Sequence, residues 1–167
     1  MAKYAVIRTD NVSGVDQRAD LLSVRFYDSN NKVAEVENGV IVKVGALENG
    51  EREVHKATAA SSSDSLNDCA ILAGVELFYD ESRRHYLDEW INPAGKATRA
   101  YILRSRNLFS VTAEGFVGGT VPAVGDTVGI GTGGKIDASG SGLGVCEHIE
   151  TQGRYTWYQI KLDKTES

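Results

Sequence analysis

A glycine-rich stretch carries the nearest match to a nucleotide-binding motif. Gly129, Gly131 and Gly134 match the letters of the dinucleotide fingerprint, and the run that ends in Lys135 nearly matches a phosphate-binding P-loop. Both motifs require a helix directly after the glycines, because the N–H groups at its N-terminus bind the phosphate. Ile136 replaces the Ser or Thr that would hold magnesium, and the residues around it alternate as a strand does. We therefore predict a glycine hairpin here and no nucleotide site.

The histidines and cysteines are too dispersed for a metal centre. His55, His85 and His148 fall in different predicted elements, and only Cys146 could share a strand face with His148. Two ligands do not complete a zinc site. We expect no metal and no cofactor, with Cys146 as a small core residue and His148 at the surface.

The carboxylates and serines give no convincing catalytic pattern. Glu35 with Glu37, and Glu51 with Glu53, place carboxylates two apart on one strand face, as in a glycosidase pair. Alternating charge on an exposed strand explains both pairs. No Gly-x-Ser-x-Gly elbow surrounds a serine, and Gly140-Ser141-Gly142 indicates a flexible loop. We predict no catalytic residues and no enzymatic activity.

The aromatic residues have two structural interpretations. Trp90 precedes a Pro-Gly turn, and Tyr155, Trp157 and Tyr158 cluster near the end of the chain. Such rigid side chains either fill a core or anchor a protein interface. A third possibility is a carbohydrate- or small-molecule-binding β-barrel, in which Trp90, Tyr155 or Trp157 stacks on the ligand beside Asp and Glu.

The first half of the chain has the period-two alternation of half-buried strands. Leu22, Val24 and Phe26 share one face of a predicted strand from about Leu21 to Tyr27. Asn38-Gly39 predicts a hairpin between strands at 33–36 and 40–44, and Glu48-Asn49-Gly50 predicts a second hairpin.

The middle of the chain contains the only predicted helix. Cys69 to Leu72 and Val75 to Tyr79 are apolar enough to return to the core. Asp80 can cap a helical turn over 81–84, and Leu87, Trp90 and Ile91 are spaced to share one helical face.

The last third is dense in turns and short strands. Gly115 to Gly153 holds twelve of the eighteen glycines, which separate short β-branched runs. The overall pattern predicts a mainly β fold, an antiparallel β-barrel or β-sandwich with short turns and at most one or two short helices. We expect one globular domain over 1–167, with a possible subdivision near 114 into a β-rich part (1–114) carrying the short helix and a glycine-rich small barrel (115–167). The strands expected here are Thr127 to Ile130, Lys135 to Ala138, Leu143 to Ile149 and Tyr155 to Leu162.

Charge and hydropathy exclude two classes of partner. A net charge of −5 with scattered Lys and Arg argues against a nucleic-acid surface, which needs clustered cations. No run is long and apolar enough to span a bilayer. The opening residues read as a strand and not as a leader, so we expect synthesis in a reducing cytoplasm.

Several segments of the chain resemble small virion proteins of tailed bacteriophages, of the head decoration or cement type. The resemblance covers most of the chain loosely and includes no catalytic signature. The segments that carry it are the opening strand from Met1 to Asp10, the stretch from Glu37 to Leu47, Gly50 to Val54, Asn92 to Tyr101, Phe109 to Glu114, and Pro122 to Asp126.

The resemblance implies a structural role and no site. Proteins of this type are β-modules that bind the outer surface of the major capsid protein lattice, often as trimers or dimers, and stabilise the head. It implies a capsid-surface location after synthesis in the host cytoplasm, with the major capsid protein and further copies of the chain as partners. A subunit of the tail or of a head-tail connector ring is the structural alternative.

Two regions are predicted to form the interface. An N-terminal strand can add to the sheet edge of a neighbour, and a segment rich in Arg and Trp suits the centre of an interface. The first region, Lys3 to Asp10, contributes Tyr4, Val6 and Arg8, and the second, Asp80 to Arg99, contributes Arg83, Arg84, Trp90 and Arg99.

Overall fold

The computed structural model describes residues 3–8, 20–80 and 85–163. These residues form a mainly β structure, which confirms the predicted fold class: a closed five-stranded barrel and a curled six-stranded antiparallel sheet. Helical structure among the described residues consists of single 3-10 turns. The strands are β1 (Ile7–Arg8), β2 (Leu21–Tyr27), β3 (Ile41–Leu47), β4 (Val54–Ala59), β5 (Cys69–Leu72), β6 (Thr98–Ile102), β7 (Leu108–Val111), β8 (Thr127–Ile130), β9 (Ile136–Asp137), β10 (Gly144–Gln152) and β11 (Tyr155–Leu162).

The barrel is formed by β2, β4, β3, β5 and β6 in that order. β2 and β4 pair in parallel, and the other neighbours are antiparallel, with β6 closing the barrel against β2. A barrel of so few strands has room for small or branched side chains only. Val24, Val42, Leu72 and Ala100 fill its interior and are fully buried.

The barrel and the sheet share a core. Ile41 and Ile71 alternate with the interior residues of β3 and β5, so they point out of the barrel and pack in one cluster with Phe109 of the sheet. All of β5 is therefore buried on both faces. This double burial explains why Cys69 to Leu72 is a continuous apolar run without alternation.

The six-stranded sheet follows the order β1-β7-β11-β10-β8-β9. Its centre is the long hairpin of β10 and β11, with a bulge between Cys146 and His148. β1 and β7 precede residue 114 and belong to the same sheet as β8 to β11. The sheet thus combines residues from both sides of the suggested subdivision point.

One of the two predicted asparagine-glycine hairpins is correct. Asn49-Gly50 joins β3 to β4, which pair antiparallel, and Gly50 takes the positive φ that the turn requires. The hairpin predicted at Asn38-Gly39 is wrong, although the two residues do form a turn. Residues 33–36 form no strand there, because Val36 makes a single bridge to Asn92 and the Asn38 side chain turns inward.

Two predictions for the middle of the chain are also wrong. Val75 to Tyr79 does not return to the core, since Val75, Leu77 and Tyr79 are at least half exposed. The predicted helix is absent from its described part, where one 3-10 turn, Leu87–Glu89, stands alone. Leu87 is exposed and Asp88 is buried, which reverses the polarity that a helical face through Leu87 would need. Residues 81–84 of that prediction lie outside the described residues.

Candidate functional site

The segment from Gly74 to Asp80, here called the dividing segment, separates two surface grooves. It belongs to no strand or helix, and its side chains alternate in direction. Glu76 and Phe78 line one groove, whereas Val75, Leu77 and Tyr79 line the other. We name them the Tyr155 groove and the Trp90 groove, after a residue in the wall of each.

A buried asparagine anchors the start of the dividing segment. Asn38, 1% exposed, donates from Nδ2 to the carbonyl of Gly74 (3.0 Å) and accepts from the Gly74 N–H at Oδ1 (2.8 Å). This side-chain amide therefore bonds both main-chain groups of one residue, as a neighbouring strand would. Asn92 Nδ2 donates to the same Asn38 oxygen (2.8 Å) and to the carbonyl of Val36 (2.9 Å).

Only glycine fits at position 74. A Cβ there would overlap Asn92 Oδ1 and Thr98 Oγ1, which are themselves joined by a hydrogen bond of 2.9 Å. The backbone consequently approaches the polar network closely, and the chain leaves β5 in a defined direction. The anchor orients the whole dividing segment.

The Tyr155 groove has a volume of about 550 Å³, and two of its lining residues, Arg154 and Tyr155, bond one buried carboxylate. Asp88, 4% exposed, accepts from the Tyr155 hydroxyl (2.7 Å) and from Arg154 Nη2 (3.2 Å). The Arg154 guanidinium lies 4.0 Å from the centre of the Tyr86 ring, so a cation–π contact joins the two walls. The residues that line the groove are Glu76, Phe78, His85, Tyr86, Leu87, Gln152, Gly153, Arg154, Tyr155 and Trp157.

Burial and Asp88 together control the ionisation of Tyr155. Loss of solvent raises the pKa of the phenol, and the hydrogen bond to the Asp88 carboxylate raises it further, because a second negative charge is disfavoured there. The hydroxyl is thus held as a neutral donor. Its hydrogen bond to Asp88 fixes this part of the groove wall.

Aromatic stacking connects the two grooves. The Phe78 ring lies parallel to the His85 ring at 4.4 Å and edge-on to Trp90 at 5.4 Å. His85 Nε2 is 2.8 Å from the carbonyl oxygen of Asp80, and its Nδ1 is 3.4 Å from Glu89 Oε2. These contacts hold the far end of the dividing segment against the body of the protein.

The Trp90 groove, of about 520 Å³, is apolar with a basic rim. Val75, Leu77 and Tyr79 are 54%, 50% and 87% exposed on its outer wall. Its other lining residues include the cations Lys96 and Arg99, and none of its lining residues is a carboxylate. A positive rim in a chain of net charge −5 is a local reversal of sign.

The main-chain groups of the dividing segment also lack backbone partners among the described residues. Between Val75 and Tyr79, no main-chain N–H or C=O group makes a backbone hydrogen bond to another described residue. Buried main-chain groups are almost always paired, so these groups face solvent or a partner. The segment thus offers apolar side chains together with main-chain donors and acceptors that have no backbone partner among the described residues.

The predicted interface residues of the N-terminal strand have different environments. Val6 is 2% exposed and belongs to the core. Arg8 lies over Trp157 (5.4 Å to the ring centre) and pairs with Glu150 at 2.5 Å, beside the Tyr155 groove. The N–H of Tyr4 donates to the carbonyl of Asp88 at 3.0 Å.

The second predicted region contributes two residues to one groove. Trp90 and Arg99 both line the Trp90 groove. Arg83 and Arg84 lie outside the described residues. The structure therefore places Trp90 and Arg99 in the Trp90 groove and Arg8 against Trp157, which lines the Tyr155 groove.

The motifs considered for chemistry fall elsewhere. Gly129 lies in β8 and Gly134 in the 3-10 turn at Thr132–Gly134, Gly131 lies between these two elements, and β9 rather than a helix comes next. Cys146 is buried, which raises the pKa of its thiol, and its Sγ–H points to the carbonyl of His148, which is exposed. No group of three or more His, Cys, Asp or Glu side chains among the described residues could hold a metal ion.

The two members of the first carboxylate pair, Glu35 and Glu37, have different environments. Glu37 accepts from the N–H of Ala5 (3.0 Å) and pairs with Lys135 (2.7 Å), whereas Glu35 is exposed. Glu51 lies 3.6 Å from Arg25, on a different part of the surface.

Sequence reasoning missed the residues that build the grooves. Asp88 and Arg154 are far apart in sequence, and no spacing rule connects them. Asn38 has only the local signal of a turn residue. For Val75 to Tyr79 a signal was present, since a strand buried on both faces should not carry Glu76 at its centre.

No protein-family model, curated protein or solved structure shows significant similarity to this chain. In the part of the chain that the structure describes, no helix has the length and hydropathy to cross a membrane. The geometry of the two grooves is therefore the basis for inferring function.

Proposed function

We propose that this chain is a non-enzymatic structural subunit of a tailed-phage virion, a decoration protein that binds the outer surface of the major capsid protein lattice. One observation carries the proposal. Five of the ten exposed large hydrophobic side chains among the described residues lie between Val75 and Leu87. Concentrated apolar exposure of this kind is typical of a protein-protein contact surface.

The Tyr155 groove supplies the anchors for the lattice. Tyr86 and Leu87 are 40% and 44% exposed at its rim, and Arg154 is already stacked on Tyr86. Tyr, Trp and Arg side chains dominate the binding energy of interfaces, and a preformed arrangement loses little entropy on binding. Arg8, over Trp157, extends the same surface towards β1.

Repetition strengthens such a contact. A subunit that self-associates and binds several lattice positions gains avidity without any further contact. In this proposal the chain is made in the host cytoplasm, associates as dimers or trimers, and is added to the capsid surface. The resemblance to head decoration proteins supports the same assignment.

Labelled protein and purified particles test this function. The full chain, carrying a small affinity tag for gold labelling, is mixed with gradient-purified heads of the source phage from which its gene has been deleted. We expect label on every facet and release of DNA at a higher temperature than in bare heads. Label at a single vertex would favour a tail or connector ring instead, and absence of label would overturn the virion assignment.

A matched pair of variants locates the surface. Leu87→Asp places a charge at the rim of the Tyr155 groove, whereas Val124→Asp places one at a residue that is 60% exposed and lines neither groove. We expect Leu87→Asp to abolish labelling and Val124→Asp to retain it. Equal labelling by both variants would exclude the Tyr155 groove as the lattice contact.

A carbohydrate-binding role is the second candidate, and a specific feature favours it. Tyr86, Tyr155 and Trp157 line a single groove together with Gln152 and Arg154, which offers ring faces beside hydrogen-bonding groups. A glycan array probed with the full chain tests it. Saturable binding that Tyr86→Ala removes would support this function, and no binding at millimolar glycan would exclude it.

A further inference from the structure

The dividing segment has the properties of an edge strand that has no neighbouring strand among the described residues. Val75, Leu77 and Tyr79 project from alternate positions, as side chains on one face of a strand do. The main chain between them makes no backbone hydrogen bond to another described residue. A partner strand adds to such an edge through main-chain hydrogen bonds, and its side chains set the specificity.

Two copies of the dividing segment are complementary when they run in opposite directions. In an antiparallel pair centred on Leu77, Val75 of one copy lies opposite Tyr79 of the other, and the two Leu77 side chains meet at the axis. The three apolar residues of each copy then form one continuous cluster. Because the three residues lie on one face of the segment in each copy, all six lie on one face of the pair.

The charges near the two ends of the segment also favour antiparallel pairing. The side chain of Asp80 is 58% exposed at the end of the segment. At the other end, Arg99 follows Thr98 in the rim of the Trp90 groove, and the N–H of Ala73 donates to the Arg99 carbonyl (3.0 Å). Antiparallel pairing brings Asp80 of one copy beside Arg99 of the other, twice. Parallel pairing would instead place the two Asp80 carboxylates together, which is unfavourable.

We propose that the dividing segments of two copies of this chain pair antiparallel about Leu77 and form a two-fold symmetric dimer. One surface supplies both halves of the contact, as an isologous interface requires. Tyr79, 87% exposed, is the largest anchor of this interface. The proposal deepens the proposed function by naming the surface for self-association, and it leaves the Tyr155 groove for the lattice.

Sedimentation velocity of the full chain tests the dimer. Over protein concentrations from about 1 to 300 μM, we expect a reversible shift from monomer to dimer. Leu77→Asp places two carboxylates against each other at the axis, so we expect dimer affinity to fall by at least about 100-fold. Val124→Asp, at a residue that is 60% exposed and lies outside the segment, should dimerise as the unchanged chain does. Circular dichroism confirms that each variant is folded.

Charge reversal tests the register. Asp80→Lys and Arg99→Asp should each weaken the dimer, and the double variant should restore most of the lost affinity. A chain that stays monomeric throughout the concentration range, or a dimer that Leu77→Asp leaves intact, would overturn the proposal. Failure of the double variant to recover affinity would overturn the antiparallel register.

The particle experiment separates this inference from the proposed function. Facet labelling by a monomeric chain would contradict the dimer alone. A dimer that fails to label heads would contradict the virion assignment alone.

Discussion

The two faces of the dividing segment differ in what holds their side chains. On the inner face, Glu76 accepts from Asn38 Nδ2 at 2.9 Å, and Phe78 stacks on His85 and Trp90. On the outer face, Leu77 and Tyr79 are half exposed or more and meet an open groove. Consecutive residues of one short stretch thus serve two purposes. The inner face belongs to the fold, and the outer face is available to a partner.

Removal of the anchor should give the largest effect on stability. In Asn38→Ala, the Gly74 N–H and one Asn92 N–H lose a buried acceptor, so we expect a loss of about 3 kcal/mol in the free energy of unfolding. The matched variant Asn49→Ala changes the exposed asparagine of the other Asn-Gly turn and should cost less than about 0.5 kcal/mol. Urea denaturation measures both, and equal losses would contradict the anchoring of Gly74 by Asn38.

The next largest loss of stability is expected on substitution of Asp88, which bonds two residues of the Tyr155 groove. Asp88→Asn keeps the shape but removes the charge that accepts from Tyr155 and Arg154, so we expect a loss of about 2 kcal/mol. The pKa of Tyr155 should fall, because the carboxylate that raises it is gone, but it should stay above its ordinary value since burial persists.

Tyr158 provides the internal control for that titration. Burial also raises its pKa, and Asp88 is not among the causes. Carbon-13 NMR of labelled tyrosine rings follows both residues in one sample. A fall in the pKa of Tyr158 equal to that of Tyr155 would show that Asp88→Asn disturbs the sheet generally.

Neighbouring truncations compare the two faces directly. Phe78→Ala removes the ring that stacks on His85 and Trp90 and should cost about 1.5 kcal/mol in the free energy of unfolding. Leu77→Ala, one residue earlier, should cost less than about 0.5 kcal/mol because its side chain is half exposed. Urea titrations at low protein concentration measure the monomer alone. A larger loss for Leu77→Ala would place the outer face in the core.

The smallest expected effect on stability concerns Asp64, a carboxylate that lines neither groove. The hydrogen bond from Lys43, followed by those from Ser61, lowers the pKa of Asp64 to about 2. Since the folded pKa lies below the usual value of 3.8, this stabilisation is complete above about pH 4 and is lost as the pH falls through about 2. Lys43→Met should move the acid midpoint to higher pH by less than about one unit, because solvent screens the pair. Acid titration followed by circular dichroism measures it, and an unchanged midpoint would contradict the assignment.

The strand predictions were confirmed where a local sequence pattern determines which residues are buried. Leu21–Tyr27, Thr127–Ile130 and Tyr155–Leu162 match the predicted strands in both bounds, and Asn49-Gly50 is the predicted hairpin turn. In each case alternating apolar residues or turn chemistry determine the structure within a few residues. The mainly β class followed from the same signals.

The predictions were wrong where residues far apart in the sequence determine the local structure. Asn38-Gly39 has the same letters as Asn49-Gly50, but Asn38 bonds Gly74, 36 residues later in the chain. The spacing of Leu87, Trp90 and Ile91 indicated a helix, yet Asp88 is drawn inward by Tyr155, 67 positions away. A single sequence contains no local trace of such pairs, so the grooves could not be predicted from it.

Hydrogen-deuterium exchange of the dividing segment tests most directly whether its outer edge is a contact surface. In dilute monomer, the amides of Val75 to Tyr79 make no backbone hydrogen bond to another described residue, so we expect exchange close to that of an unstructured peptide. In the concentrated dimer, we expect amides of this segment to slow by at least about tenfold while the Asn49-Gly50 turn stays unchanged. Equal exchange of the segment in a dilute monomer and in a confirmed assembly would contradict its use as a contact surface.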